Sequence, residues 1–283
     1  MAGNPFLLRG PPVISFSGGR TSGYLLWRVL KAHRGVLPAD VLVCFANTGR
    51  EMGGTLDFVR DCGAAWSVPI HWLEYRHEPG RYVCVEVSHN SASRDGEPFE
   101  ALVRAKASLP NPTQRFCTEE LKVGTIARFL RALGWLHWTN AVGLRADEPK
   151  RVTKAMHDGR KKPRRWSNVC PLAVAGVTEA DVFAFWRSQP FDLRLAGPHE
   201  GNCDGCYLKG RGALERMLLD HPARMAWWAK MEALRLGPRG RRFHPPSDRD
   251  SYAAMARMVR DQGRLDLTFS ETFGPCENGG CGA

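Results

Sequence analysis

Between an apolar run at Val13–Phe16 and a helical pattern from Gly23, the chain reads Ser17-Gly18-Gly19-Arg20-Thr21-Ser22. Adjacent glycines let the backbone take conformations closed to other residues and come close to an anion. N–H groups at the start of the following helix, with the hydroxyls of Ser17, Thr21 and Ser22, supply hydrogen-bond donors, and Arg20 adds charge. Such a loop can hold phosphate. A bare Ser-Gly-Gly turn also occurs as a plain strand-to-helix connection, so the strand before it and the helix after it carry the functional reading.

The cysteines are the second group able to do chemistry. Cys203-Asp204-Gly205-Cys206 can place two thiolates on one metal ion or cluster. The same spacing also serves a redox dithiol or half a zinc site. Nine cysteines is an odd number, and in a reducing compartment thiols act as metal ligands, redox groups or small core residues rather than disulfides. Cys44, Cys62 and Cys84 fall within or beside strand and helix patterns and read as core. Cys276 and Cys281 stand in a glycine-rich tail, where one reading is a flexible end whose thiols are occasional ligands.

Elements must position these groups. Pro12–Phe16, Val41–Ala46 and Thr139–Leu144 read as buried parallel strands, and Pro69–Tyr75 as a weaker fourth. Helical stretches at Gly23–Ala32, Thr55–Cys62 and Leu121–Ala132 alternate with them, which predicts a doubly wound α/β sheet with ligands at the carboxyl ends of its strands. Ser88–Pro98 and the basic segment Pro149–Trp166 read as loops. Beyond Asn168 the pattern predicts helices at Thr178–Ser188 and Gly212–Leu236, with Trp227-Trp228 in the core of the latter. Residues 1–166 are therefore expected to form a nucleotide-binding α/β domain, and 167–283 a mainly helical, Cys-bearing extension.

With 43% hydrophobic and 24% charged residues, the composition excludes wholesale disorder. No run approaches the ~18–20 apolar residues that span a bilayer and no signal-peptide layout is visible, so the expected location is cytoplasmic, with no membrane partner. Forty basic residues against twenty-nine acidic give a net charge of +11, which favours polyanionic partners and phosphate-bearing ligands. Lys150–Arg165 concentrates that charge, and Trp166 follows it. A solvated basic loop is the ordinary reading; a clamp on phosphate or on a nucleic-acid backbone, with Trp166 stacked on a base, is the functional one.

Ser17-Gly18-Gly19-Arg20-Thr21-Ser22 resembles the signature of the PP-loop ATP pyrophosphatase superfamily, whose phosphoadenosine phosphosulfate (PAPS) reductase-like branch is the nearest match. Asn47-Thr48-Gly49-Arg50-Glu51, Cys117-Thr118-Glu119-Glu120-Leu121-Lys122 and Gly143-Leu144-Arg145-Ala146-Asp147-Glu148 with Arg151 agree in order, so the resemblance covers about residues 12–210. It implies an adenine-nucleotide α-hydrolase-like fold, with Thr48 and Gly49 near the nucleotide and Arg145 and Arg151 facing its anionic end. For Arg145 the alternative is a salt bridge to Asp147 or Glu148.

The resemblance also implies a 4Fe-4S cluster on Cys117, Cys203 and Cys206. Thr118 stands where adenylylsulfate reductases carry a second adjacent cysteine, so a fourth ligand must come from Cys170, Cys276 or Cys281, or be absent; zinc remains the competing metal. Those reductases place a nucleophilic cysteine in Glu-Cys-Gly-Leu-His, of which only Cys281-Gly282 is left here. The expected activity is ATP-dependent sulfur transfer: adenylylation of an acceptor, with DNA or tRNA as candidates, then sulfur insertion, with Mg2+ and a sulfur-donor protein as possible accessories. The alternatives are a sulfonucleotide reductase that uses Cys281 or Cys276 with thioredoxin and releases sulfite, and a non-catalytic nucleotide-sensing or nucleic-acid-binding module.

Overall fold

A computed structural model describes residues 3–157, 164–234, 236, 242–244 and 249–262. The elements run β1 Pro12–Ser15, α1 Arg20–Ala32, β2 Leu42–Asn47, α2 Gly53–Ala65, β3 Ile70–Glu78, β4 Arg81–Val87 and α3 Glu97–Lys106. A six-residue π-helical turn at Thr118–Val123 leads into α4 Gly124–Ala132, then β5 Trp138–Val142, α5 Pro149–Met156 and β6 Trp166–Val169. The last part holds α6 Pro171–Val174, α7 Glu179–Arg187, α8 Arg211–Asp220, α9 Pro222–Ala233 and α10 Tyr252–Gln262.

The six strands form one sheet in the order β4-β3-β2-β1-β5-β6, parallel except for β4. Alternate strand residues face opposite ways, as the pleat requires. Ile14, Val43, Phe45 and Ala141 join α1, α2 and α7 in one core, while Val13, Cys44, Ala46 and Trp138 join α4 residues Ile126 and Leu130 in another. The result is a mostly parallel, Rossmann-like α/β sheet with helices on both faces. Chain order reverses about β1, which pairs with β2 on one side and β5 on the other. That reversal leaves a crevice at the carboxyl ends of the strands, where open α/β sheets bind ligands.

The four expected strands and the helices between them are present. Pro149–Trp166 is not one loop: Pro149 opens α5, whose Val152 and Ala155 pack on Val142, Leu144 and Cys170, and Trp166 begins β6. Proline is pre-set for a first helical turn, so the charges sit on a surface helix that a purely basic reading hides. Residues 158–163 lie outside the described residues. The helix expected over Gly212–Leu236 is two, α8 and α9, because Pro222 cannot donate to the preceding turn and instead starts a new helix. β4 was not anticipated; it returns from β3 through Pro79-Gly80, with Gly80 at φ +77°.

Residue 166, the expected end of the α/β domain, is the first of the sheet's edge strand. Leu172, Val177, Val182 and Trp186 belong to the same core as Ile14 and Phe58, so the chain as far as α7 packs with the sheet. Cys203, Cys206, Trp227 and Trp228 lie instead in a core built largely from α3, α8, α9 and α10. Among the described residues no helix is long and apolar enough to cross a membrane.

Candidate nucleotide and thiol site

The glycine-rich loop leaves β1 at the carboxyl edge of the sheet. Phe16 N–H donates to the Cys44 carbonyl at 2.9 Å, so the loop starts from a fixed strand end. Gly18 has φ +80°, and a Cβ there would stand 2.7 Å from Thr55 Cγ2 and 3.2 Å from Phe45. Both facts restrict the position to glycine. Gly19 is extended (φ −107°, ψ 163°) and is the N-cap of α1, with no side chain to satisfy the first-turn N–H groups. N–H groups so placed, with the positive end of a helix dipole, are of the kind that can receive an anion. Ser17 Oγ donates to Ser22 Oγ at 3.0 Å, and Ser22 Oγ to the Gly19 carbonyl at 2.8 Å, so buried Ser22 braces the loop from within.

Ser17, Gly18, Gly19, Arg20 and Thr21 line a cavity of about 390 Å³. Arg145 closes one side. It is nearly buried, reaches Thr21 Oγ1 at 3.3 Å, and is ion-paired with Asp147 at 2.9 Å and Glu179 at 3.5 Å. Arg145 is therefore salt-bridged, as its alternative reading had it, and also lines the cavity. Arg20 lines the rim but grips Asp192 through two bonds of 2.8 and 2.9 Å, and its carbonyl accepts the Trp186 indole N–H at 2.8 Å. Arg151, on α5, pairs with Glu148 and is absent from the lining; Thr48 and Gly49 are absent too. The lining also includes the apolar side chains of Val182, Phe183, Leu193 and Leu195.

Burial opposes ionisation of Asp147, but the Glu179 backbone N–H and the Arg145 guanidinium outweigh it and hold the carboxyl below its usual range. A folded-state pKa below the unfolded one gives stability that is present above the unfolded pKa and is lost as pH falls through the folded one. Asp147→Asn is therefore expected to flatten the acid limb of urea-midpoint against pH below about pH 4. A variant whose acid limb matches the wild type would contradict this ion pair.

Three cysteines meet at a neighbouring cavity of about 30 Å³, lined by Cys117, Cys203 and Cys206 with Lys122, Arg115, Thr48, Asn202 and Tyr207. The π-helical turn explains how Cys117 and Lys122, five residues apart, share a face: its wider turn brings i and i+5 together. Thr125 Oγ1 donates to the Glu120 carbonyl at 2.9 Å at the end of that turn. Cys117 Sγ lies 3.2 Å from the Tyr207 hydroxyl, and Cys203 Sγ 3.4 Å from Thr48 Oγ1. Burial pushes the Cys203 and Cys206 thiols up. Burial pushes the Lys122 ammonium down, but Cys203, Glu51, Cys117 and Cys206 outweigh it and hold the group above its ordinary value.

Thr48 thus belongs to the thiol side: its hydroxyl also donates to Glu51, and Gly49 N–H donates to Asn47 Oδ1 at 3.1 Å. Cys170 does not join the other three. It packs against Val142 and Leu144, and burial, helped by Glu148, pushes its thiol up to about 11. Cys276 and Cys281 lie outside the described residues. Sulfur-only donors beside a lysine and an arginine suit a soft metal or an iron–sulfur cluster in chemistry. Among the described residues, however, no group of three or more His, Cys, Asp or Glu is already gathered to hold a metal ion.

Sequence reasoning passed over several residues that build the site. Asp204, within the CxxC, is fully buried and takes hydrogen bonds from Arg50, Arg224 and Trp228. A third cavity, of about 50 Å³, is lined by Ser15, Ser17, Lys122, Asn140, Trp138 and Trp166. Ser15 Oγ donates to Asn140 Oδ1 at 2.6 Å and Asn140 Nδ2 to Asn168 Oδ1 at 2.8 Å, a polar ladder across β1, β5 and β6. Trp166 stacks on Trp138 at 5.1 Å and has Arg164 4.7 Å from its ring, so its ring is already partly occupied by protein partners. The adjacent polar residues Thr139-Asn140 in β5 and Ser167-Asn168 in β6 were the available signal.

Fold and site together define an α/β protein of Rossmann-like build with a glycine-rich loop at the strand-order reversal and a three-cysteine cavity beside it. No family model matches the chain. It is 33% identical over 205 residues to the uncharacterized nin region protein ORF290 of Escherichia phage lambda, an alignment covering 70% of this chain and 66% of that protein. The chain thus spans just under two thirds of that relative's length.

Proposed function

We propose that the chain is a PP-loop enzyme of the PAPS reductase-like kind, with a doubly wound adenine-nucleotide α-hydrolase-like sheet, that binds ATP at Ser17–Thr21 and uses it for sulfur transfer. The observation that carries this reading is the side-by-side placement of the two cavities: Asn202 lines both the phosphate-loop cavity and the cavity of Cys117, Cys203 and Cys206. A phosphate seat alone would suit many nucleotide enzymes. Three thiols next to it support sulfur chemistry over those.

In this reading the loop N–H groups and Thr21 hold the phosphates, and Arg145, kept in place by Asp147 and Glu179, offsets charge on them. An acceptor oxygen attacks the α-phosphorus, forming an oxygen–phosphorus bond as pyrophosphate leaves. A sulfur nucleophile, originating in a donor protein, then bonds to the activated acceptor carbon, and AMP departs with the oxygen. Cys117, Cys203 and Cys206 would hold an iron–sulfur cluster, which supplies a site for binding sulfur. Lys122 offsets negative charge at the thiols. The net charge of +11 suits a nucleic-acid acceptor such as DNA or tRNA.

Anaerobic purification with iron, sulfide and zinc analysis tests the thiol half. Cys117→Ser, Cys203→Ser and Cys206→Ser should each lose the metal and the visible charge-transfer absorbance together, while Cys170→Ser and Cys62→Ser keep both. Stoichiometric zinc, or three variants that behave differently, would contradict the shared cluster. Sulfite release from adenylylsulfate or phosphoadenylylsulfate on adding thioredoxin would instead point to the reductase chemistry.

A further inference from the structure

Asn202 occupies an unusual position. It is in the left-handed region, φ +60°, where a side chain costs energy and glycine is the residue that backbone geometry alone would select. The chain on both sides is pinned. Lys209, almost wholly buried, donates to the His199 and Gly201 carbonyls, both at 2.6 Å, and buried Glu200 accepts the Ala196 N–H at 2.7 Å. On the far side Cys203 pairs with Glu51 in an isolated antiparallel bridge. Between these fixed points one residue borders both the phosphate-loop cavity and the thiol cavity.

The same two spaces also share a neighbour. Ser17 is shared by the phosphate-loop cavity and the smaller cavity under α4, and Lys122 by that cavity and the thiol cavity. The three spaces therefore border one another in a ring. On the direct side the one residue common to both linings is Asn202, whose side chain carries both a donor and an acceptor.

We infer that Asn202 is a positioning residue that forms the partition between nucleotide and thiols, and that a nucleotide in the phosphate-loop cavity seals the thiol cavity from that side. The inference rests on the nucleotide reading above. It assigns to the rigid Gly201–Cys203 turn the job of deciding what passes between the two chemistries.

The test is the site-resolved rate at which Cys203 reacts with a small organomercurial, which titrates free and metal-bound thiolates alike, with and without ATP. ATP binding is measured by calorimetry on the same full-length preparations. ATP should slow Cys203 in the wild type. Asn202→Gly, which keeps the left-handed backbone and removes the partition, should raise the ATP-free rate about tenfold, since thiol exchange follows access. ATP should restore the slow rate in that variant. Asn202→Asp, equal in size and tolerant of the same backbone, should keep the wild-type rate without ATP. Cys62, buried in the separate α1–α2 core, should not accelerate in any variant.

Unchanged Cys203 rates in an Asn202→Gly protein that binds ATP would overturn the inference and leave the nucleotide reading standing. So would equal acceleration of Cys62, which would mean that the fold had loosened as a whole. If the wild type binds no ATP, the nucleotide reading fails and takes this inference with it.

Discussion

Asp204→Ala is expected to destabilise the protein by about 3–5 kcal/mol, the usual cost of removing one partner from a buried ion pair. The carboxylate is fully buried and takes Arg50 Nη2 at 2.5 Å, Arg224 Nε at 2.7 Å and the Trp228 indole N–H at 2.7 Å. Arg50 is itself buried, with its guanidinium 4.8 Å from the Trp227 ring. Burial already pushes the Arg50 pKa down, Asp204 opposes that shift, and the neighbouring Arg224 adds to it. Without Asp204 two guanidinium groups face each other with no carboxylate between them. Because Asp204 lies between Cys203 and Cys206, the loss should also disorder the thiol turn. Urea denaturation of wild type and Asp204→Ala checks this through the midpoint shift. Asp204→Asn, which keeps an acceptor but not the charge, should fall between them. A loss under about 1 kcal/mol for the alanine variant, the range of exposed pairs, would show that the network is not what holds the turn.

The sheet was legible because a short apolar run closed by a polar turn is the pattern of a strand buried on both faces. Val13–Phe16 and Val41–Ala46 both fit it, and the glycine pair after the first of them marked the turn into α1. β4 was less legible: Arg81–Val87 is an edge strand whose short apolar run, Tyr82–Val85, is flanked by Arg81 and Glu86. Charge obscured α5, where Lys150, Arg151 and Lys154 outnumber the two residues, Val152 and Ala155, that dock it. At the site, motif order placed Cys117, Cys203 and Cys206 at one cavity but could not separate Cys170 from them, since that depends on which face of β5 and β6 a residue meets. Nor could spacing show that Thr48 sits with the thiols rather than the phosphate loop, or that Arg20 is held by Asp192, 172 positions away. Such long-range partners leave no local trace.

Gly19→Val is expected to abolish nucleotide binding while the protein remains folded. Gly19 is extended, a conformation open to any residue, so the change strains no backbone. Its effect falls on the space above the first-turn N–H groups of α1, where a branched side chain would stand between donors and phosphate. Gly18 is a poorer probe. At φ +80° and 2.7 Å from Thr55, a side chain there would disturb the packing of the loop on α2 as well as the ligand. Arg20→Ala should weaken binding by a smaller factor, since it removes one charge that Asp192 already shares and no backbone donor. The decisive measurement is calorimetric titration of ATP into wild-type and Gly19→Val protein, with equal melting temperatures as the control for folding. The account predicts saturable binding to the wild type and none to Gly19→Val; equal affinity in the two proteins would contradict it.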